Sequence, residues 1–420
     1  MTTRPYCTAV GSRYHAPSMR LRLRAAGAAT LAVLLGTAAV GADAIQDFLR
    51  RHWRPPLAPQ GPPPARFSPL EASLHPEACG TCHSVQFADW RESTHAAATG
   101  PGLEGQLVEM LEGDPRSALG CLTCHAPLAE QSPLVAEGNE VRPNPAHDGS
   151  LGAKGVPCAG CHVRGHQRFG PPRRDGSLAS GVPRQTLPHD GVTRTPAFLK
   201  SEFCGSCHQF APDGFALNGK LLENTYNEWK ASRFAREGVQ CQDCHMPERR
   251  HLWRGIHDAD MVRSGLTITA AAGAARYRPG DVAAVTLRVT STRVGHAFPT
   301  YVTPRVVLSA ELVDGAGQVL AGSRQEKIVG REVALDLSRE AFDTRLRPGQ
   351  SVTLAYRMKV PGPGMRARLA VVVEPDAFYV GFFETLLRQG AGRGEPQIRK
   401  ALEAARRSPF SVFERELPLS

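Results

Sequence analysis

The chain is short of aromatic residues, which make up 6% of its 420 positions, while it carries 41 glycines and 34 prolines. Such a composition struggles to fill an ordinary side-chain core along its full length. Cysteine is scarce outside a single pattern. Ten of the 11 cysteines fall in five short motifs and only Cys7 is left over, which excludes a disulfide framework. Neither a lipobox cysteine nor a twin-arginine signal is visible. Gly390-Ala391-Gly392-Arg393-Gly394 lacks a surrounding Rossmann-type strand–helix unit, so it does not read as a phosphate loop. The formal charge of +10 also shrinks. Arg4, Arg13, Arg20, Arg22, Arg24 and Asp43 precede the predicted cleavage point and leave 45 basic against 39 acidic residues. That excess does not describe a nucleic-acid surface.

What is present is C-x-x-C-H, five times: Cys79/Cys82/His83, Cys121/Cys124/His125, Cys158/Cys161/His162, Cys204/Cys207/His208 and Cys241/Cys244/His245. Two thiols three positions apart form thioethers to the vinyl groups of a haem, and the next residue becomes the proximal iron ligand. Zinc sites pair C-x-x-C with a second C-x-x-C or with paired histidines, and they do not require a histidine after the second cysteine each time. A redox dithiol normally occurs once, near a βαβ unit. The pattern therefore predicts five covalently bound haem c groups, whose burial replaces the missing side-chain core and whose propionates offset the residual positive charge.

In chain order, residues 1–44 read as a secretory signal peptide. Met19 is a possible start, Arg20 to Arg24 form the basic region, Ala25 to Val40 the apolar run, and Ala42-Asp43-Ala44 the cleavage signature. An uncleaved anchor is the alternative, disfavoured because the run is rich in Ala and Gly. Either way the remainder is exported, to the periplasm. Residues 45–68 contain six prolines and read as an extended tether or wrapping segment, with His52 solvated. Residues 69–262 hold all five motifs, their first cysteines 42, 37, 46 and 37 apart, and short helices joined by long loops are expected. A loose repeat relates Phe87-Ala88-Asp89-Trp90-Arg91-Glu92-Ser93-Thr94-His95 to Tyr226-Asn227-Glu228-Trp229-Lys230-Ala231-Ser232-Arg233-Phe234, each a short helix before the next motif. Over 263–380 the pattern changes to period two, with Val285, Leu287 and Val289, then Leu354, Tyr356 and Met358, alternating with polar residues. Turns at Pro279-Gly280, Asp314-Gly315 and Pro348-Gly349 complete the signature of an antiparallel β-sandwich. Residues 381–420 read as a helical tail, with Ile398, Leu402 and Ala405 on one face. The fold class is thus mixed: a mainly helix-and-loop multihaem domain with little sheet, an antiparallel β-sandwich and a C-terminal helix.

A second histidine on each iron gives a centre suited to electron transfer, whereas a vacant position admits substrate. His95 ends the tryptophan helix of the first repeat copy. His296 lies in an apolar loop between two strands, fixed by Gly295 and Pro299. His251 and His257, six apart, fall on different helix faces and serve different haems. His189 sits in a turn before the fourth motif. These five supply one distal ligand per iron. His166 is too near its own haem's proximal face to ligate it, though it is placed to reach a neighbouring one. His75 and His147 read as loop residues, and Met246, next to His245, packs against the ring.

The set C-x-x-C-H, F-x-x-W-x-x-S-x-H-A and G-V-x-C-Q-x-C-H-M-P resembles the multihaem cytochrome c family typified by the tetrahaem cytochrome partner of hydroxylamine oxidoreductase. The resemblance covers the haem domain, about half the chain. It implies closely packed haems, mostly bis-histidine, and periplasmic electron transport, in a family with at least one five-coordinate haem. Departures are the fifth motif, Phe234 in place of a histidine in the second tryptophan helix, and the appended β-sandwich. The expected function is a pentahaem electron carrier working between redox partner proteins, such as a membrane quinol-oxidising cytochrome and a periplasmic cytochrome or reductase. It would use no nucleic acid, and a membrane only through an uncleaved anchor. The alternative is an oxidoreductase for a small nitrogen or sulfur compound at one open haem, with His166 or Arg164 as proton donor or anion clamp. No C-x-x-C-K variant marks such a centre, so a carrier is expected rather than a catalyst.

Overall fold

The computed structural model describes residues 43–419. The predicted signal segment, with Cys7 and His15, lies almost entirely outside them. Residues 43–52 are helical, and the chain turns irregular only near the first prolines. The prolines at 55–64 govern the second half of this segment alone. That half wraps the body: the Gln60 N–H donates to Glu130 at 2.5 Å, and its side-chain oxygen accepts from the Gly165 N–H at 2.7 Å. Among the described residues no helix is long and apolar enough to cross a membrane.

The segment holding the motifs is built from short helices and small sheets. Strand β1 (Leu134–Glu137) pairs with β2 (Glu140–Pro143), β3 (Val163–Arg164) with β4 (Gln167–Gly170), β4 in parallel with β5 (Val192–Arg194), and β6 (Ala216–Leu217) with β7 (Lys220–Leu221). Prolines start several helices, among them Pro101–Gly113 and Pro115–His125, where a fixed φ and a missing N–H cost nothing. The first tryptophan helix, Ser84–Arg91, ends sooner than its pattern suggests. The Ser93 hydroxyl donates to the Trp90 carbonyl at 2.7 Å and competes with the next helical bond, so His95 stands in the following turn.

After the helix Ala259–Gly265 the chain enters two facing antiparallel sheets. One has the order β13 (Ser351–Lys359), β9 (Val282–Ser291), β8 (Leu266–Ala272). The other runs β12 (Glu340–Asp343), β11 (Gln325–Val333), β10 (Arg305–Val313), β14 (Arg366–Glu374), β15 (Phe410–Pro418). The alternation holds: Val285, Leu287, Val289, Leu354 and Tyr356 are buried, with Thr286 and Arg288 exposed. They meet Leu308, Leu312, Leu369 and Val371 of the opposite sheet in one core. The turns fall as expected, with Gly280 and Gly349 at φ +96° and +84°.

The tail differs from its expectation. Its helices Ala377–Gln389 and Glu395–Arg407 are present, and Ile398, Leu402 and Ala405 are buried. Its last stretch, however, is strand β15, which pairs with β14 and closes an edge that would otherwise expose unpaired backbone. The apolar Phe410, Val412, Phe413 and Leu417 set among polar residues are the signal for it. The two helices pack on each other and on Pro101–Gly113, where Gly105 lies under the Ile398 side chain. Tail, sandwich and motif-bearing segment thus share surfaces.

Candidate multihaem site

Each motif sits on a tight helical turn, which places its two cysteines on one side. Cys158–His162 and Cys241–His245 are one-turn helices, Pro115–His125 ends on its histidine, and Cys204 lies in the 3₁₀ turn Ser201–Ser206. The Cys241 N–H donates to the Ser201 hydroxyl at 2.9 Å, and the Gln240 side chain accepts from the Ser201 N–H at 2.9 Å. These bonds lock the fourth and fifth motifs together. Thiols of different motifs also touch: Cys79 with Cys158, Cys124 with Cys207, and Cys204 with Cys241. The Cys158 thiol beside Cys79 holds the latter down at about 7. None of the ten described cysteines is in a disulfide.

The motifs converge on one mainly apolar cavity of about 2090 Å³. An ordinary ligand pocket takes roughly 300–1,000 Å³, so this space accommodates several large flat ligands. All ten motif cysteines and all five motif histidines line it, together with His95, His189, His251, His257 and His296.

Three pairs of rings face each other across it. His95 and His208 have centroids 6.2 Å apart, His162 and His251 6.2 Å, and His245 and His296 6.3 Å, the last pair only 14° from parallel. An imidazole nitrogen binds a first-row metal at roughly 2.0–2.1 Å, so a metal shared by two rings of about 1.1 Å radius separates their centroids by roughly 6.2–6.4 Å. The residues therefore fit an iron seated between each pair. His189 lies within electrostatic reach of His83. His257 bonds through Nε2 to Asp376 at 3.1 Å. The stretch from His251 to His257 is irregular rather than helical, with Trp253 at φ +42°. It still sends the two histidines to different places.

Burial drives the imidazoles toward the neutral form that binds metal. It pushes His95 down to about 3 and His245 and His251 to about 4, and it lowers His162 and His189. The other ring nitrogen is fixed by the backbone. Nδ1 of His125, His162 and His245 faces the carbonyls of Ala98, Phe169 and Arg254 at 2.8, 2.8 and 2.7 Å.

Several expectations need correction. His52 is not solvated: it is 3% exposed, bonds through Nε2 to the Cys161 carbonyl at 2.8 Å, and lies among Phe48, Phe169, Phe198 and Phe203. The helix over 43–52 carries it there. Arg164 and His166 do not line the cavity. Arg164 lies over Trp53 and donates to the His52 carbonyl at 2.7 Å, and His166 bonds to the Gly61 carbonyl at 2.8 Å, so both hold the wrapping segment. His75 bonds to Asp148 at 2.9 Å. Sequence reasoning missed Trp253, whose edge meets both His95 and His251 at centroid distances of 4.6 and 5.1 Å. It also missed the half-buried Tyr301 and Tyr379, both within electrostatic reach of Cys121. These two come from the sandwich and the tail, and nothing local in the sequence ties them to the second motif.

Residues 78–163 match the family model of cytochrome c554 and c-prime. With the five motifs and the cavity, this supports a multihaem c-type cytochrome family for the chain, and covalently bound haem c as its cofactor. More particularly, the chain is similar to a cytochrome c-552 of Aliarcobacter butzleri (strain RM4018), at 28% identity over 190 residues. That match covers 42% of this chain and 36% of the relative, so it spans little more than a third of that protein. The fold is similar to a penta-heme cytochrome c552 from Thermochromatium tepidum, with a TM-score of 0.60 and 19% identity over 84% of this chain and all of that one.

Proposed function

We propose that the chain is an exported, periplasmic electron carrier that binds five haem c groups and passes electrons between redox partner proteins. The observation that carries this reading is the spacing of the three histidine pairs at 6.2–6.3 Å. Cys79/Cys82, Cys121/Cys124, Cys158/Cys161, Cys204/Cys207 and Cys241/Cys244 attach the groups, and His83, His125, His162, His208 and His245 are the proximal ligands. His251, His95 and His296 are the distal ligands opposite His162, His208 and His245. His189 serves His83, and His257 serves His125 through Nδ1, since its Nε2 is held by Asp376. Bound haem supplies one-electron chemistry at its iron.

Burial favours the neutral ring at His95, His162, His189, His245 and His251, and the lining that excludes water is apolar. The penta-heme description of the fold relative is in keeping with five sites. The predicted signal segment supports export.

The test is a haem count with spin states on the purified protein. Intact mass and the pyridine haemochrome assay should give five haems per chain. Paramagnetic resonance of the oxidised protein should give only low-spin signals. A count below five, or a high-spin centre of full occupancy, overturns the five-site, fully ligated reading.

A further inference from the structure

The two repeat copies share a feature beyond their tryptophans: an acidic residue stands immediately before each, Asp89-Trp90 and Glu228-Trp229. The two tryptophans do the same thing. Trp90 Nε1 donates to the Val156 carbonyl at 2.8 Å, and Trp229 Nε1 donates to the Val239 carbonyl at 2.9 Å. Each valine lies two residues before the first cysteine of a motif, Cys158 and Cys241, so each indole fixes the entry to one motif.

The two acids also act alike, on the other side of the cavity. Asp89 accepts the backbone N–H of His251 at 3.0 Å and two guanidinium bonds from Arg250 at 2.7 and 2.6 Å. Glu228 accepts the backbone N–H of Ala297, next to His296, at 3.2 Å, the Thr300 hydroxyl at 3.1 Å and Arg345 Nη1 at 3.0 Å. Both carboxylates are shielded, with side chains 5% and 14% exposed, where a charge-assisted bond is strong.

The pairing is consistent. Trp90 holds the motif of His162 and Asp89 holds the loop of His251, and these two rings face each other at 6.2 Å. Trp229 holds the motif of His245 and Glu228 holds the loop of His296, and these face each other at 6.3 Å. We infer that each acid–tryptophan dipeptide is a two-sided clamp that sets the separation of one axial histidine pair: Asp89-Trp90 for His162/His251 and Glu228-Trp229 for His245/His296. The arginines differ in origin, one adjoining its distal histidine and the other following β12, so the acid and the indole are the shared parts. The inference rests on the reading of these pairs as iron ligands. Asp89 and Glu228 are positioning residues that touch no ligand atom. Residues that orient metal ligands typically matter by about 10–100-fold in metal affinity.

The experiment uses the full haem-loaded protein, reduced and exposed to carbon monoxide, which binds only an iron whose distal ligand has left. D89A is expected to raise carbon monoxide uptake at one haem and to alter one low-spin signal of the oxidised protein, with the His245/His296 signal unchanged. E228A should do the reverse. D89N and E228Q keep an acceptor oxygen but lose the charge, so they should restore wild-type carbon monoxide uptake while shifting the potential of one haem each. H251A and H296A identify which signal belongs to which pair. If those two leave every signal in place, the ligand reading has failed. If they open one haem each while D89A and E228A, fully haem-loaded, leave uptake and signals as in wild type, the clamp is overturned. Where an alanine variant fails to load haem, redox titration of D89N and E228Q decides. A shift confined to one transition is expected, and five unshifted transitions refute the clamp.

Discussion

A backbone carbonyl only accepts hydrogen bonds, so a ring nitrogen facing one must carry a proton, and in the neutral ring the other nitrogen keeps its lone pair. This sorts the histidines with one exception, His257, which lines the cavity although its Nε2 faces the Asp376 carboxylate. Nδ1 faces a carbonyl in His125, His162, His189, His245, His251 and His296, all of which line the cavity, and Nε2 is left to bind metal. His52, His75 and His166 use Nε2 for a carbonyl or carboxylate, and none of them lines the cavity. The distinction was only partly legible in the sequence. His95 and His296 were conspicuous from the helix and the apolar loop that carry them. His52 was misread because nothing in a proline-rich stretch announces a buried helix at its start. The prediction at this scale contrasts two histidines. His95→Ala should convert one low-spin haem to high spin, opposite His208, visible by paramagnetic resonance. His75→Ala, which loses only its bond to Asp148, should leave all the signals unchanged. An unchanged spectrum in His95→Ala contradicts the His95/His208 pairing.

At the scale of the element, the G-V-x-C approach to a motif occurs twice, with different surroundings. Gly155 and Gly238 both have positive φ, +58° and +79°. A side chain at Gly155 would meet the His95 carbonyl at 2.2 Å and the Ala96 carbonyl at 2.8 Å, whereas nothing lies within 4 Å of the corresponding point at Gly238. Both Gly→Ala changes should cost about 1–2 kcal/mol for the left-handed backbone. Gly155→Ala should cost more and should disturb the His95 haem, as thermal melts and haem spectra of the two variants would show. The sandwich offers a second case. Arg331 is 1% exposed and donates to Glu340 and to the carbonyls of Leu217, Lys220 and Leu221, which ties β11 to the β6–β7 hairpin. Arg331→Met leaves Glu340 and three carbonyls short of a donor and should destabilise by roughly 3–5 kcal/mol, measured by denaturant unfolding. The strands with clean alternation were legible in advance. Strand β11 was not, because a buried arginine breaks its apolar pattern, and β15 was hidden behind the helical signal that precedes it.

For the molecule as a whole, the two halves are held in different ways, and acid should separate them. Burial pushes the Asp343 carboxyl up, but bonds from Arg345 and Lys220 outweigh it and hold the group well below the usual carboxylate range. A depressed carboxylate contributes stability above its unfolded value of about 3.9 and loses it as pH falls toward the folded one. Asp343→Asn should therefore flatten the loss of stability below about pH 4 that is expected of the native chain in acid unfolding. The sandwich carries its own core of buried aliphatic residues from both sheets. The motif-bearing segment has only small clusters, such as Leu128 with Leu151, Ala159 and Val163, around a cavity of about 2090 Å³. An apolar space of that size does not persist without its contents, because the lining loses its contacts and the chain relaxes or hydrates. Chain produced without haem attachment should thus keep amide protection in β9, β10, β13 and β14, while residues 69–262 exchange at close to unfolded rates. Hydrogen exchange on the haem-free and loaded chains measures this directly. Equal protection of 69–262 in both forms would mean that side chains alone sustain that half, despite its low aromatic content.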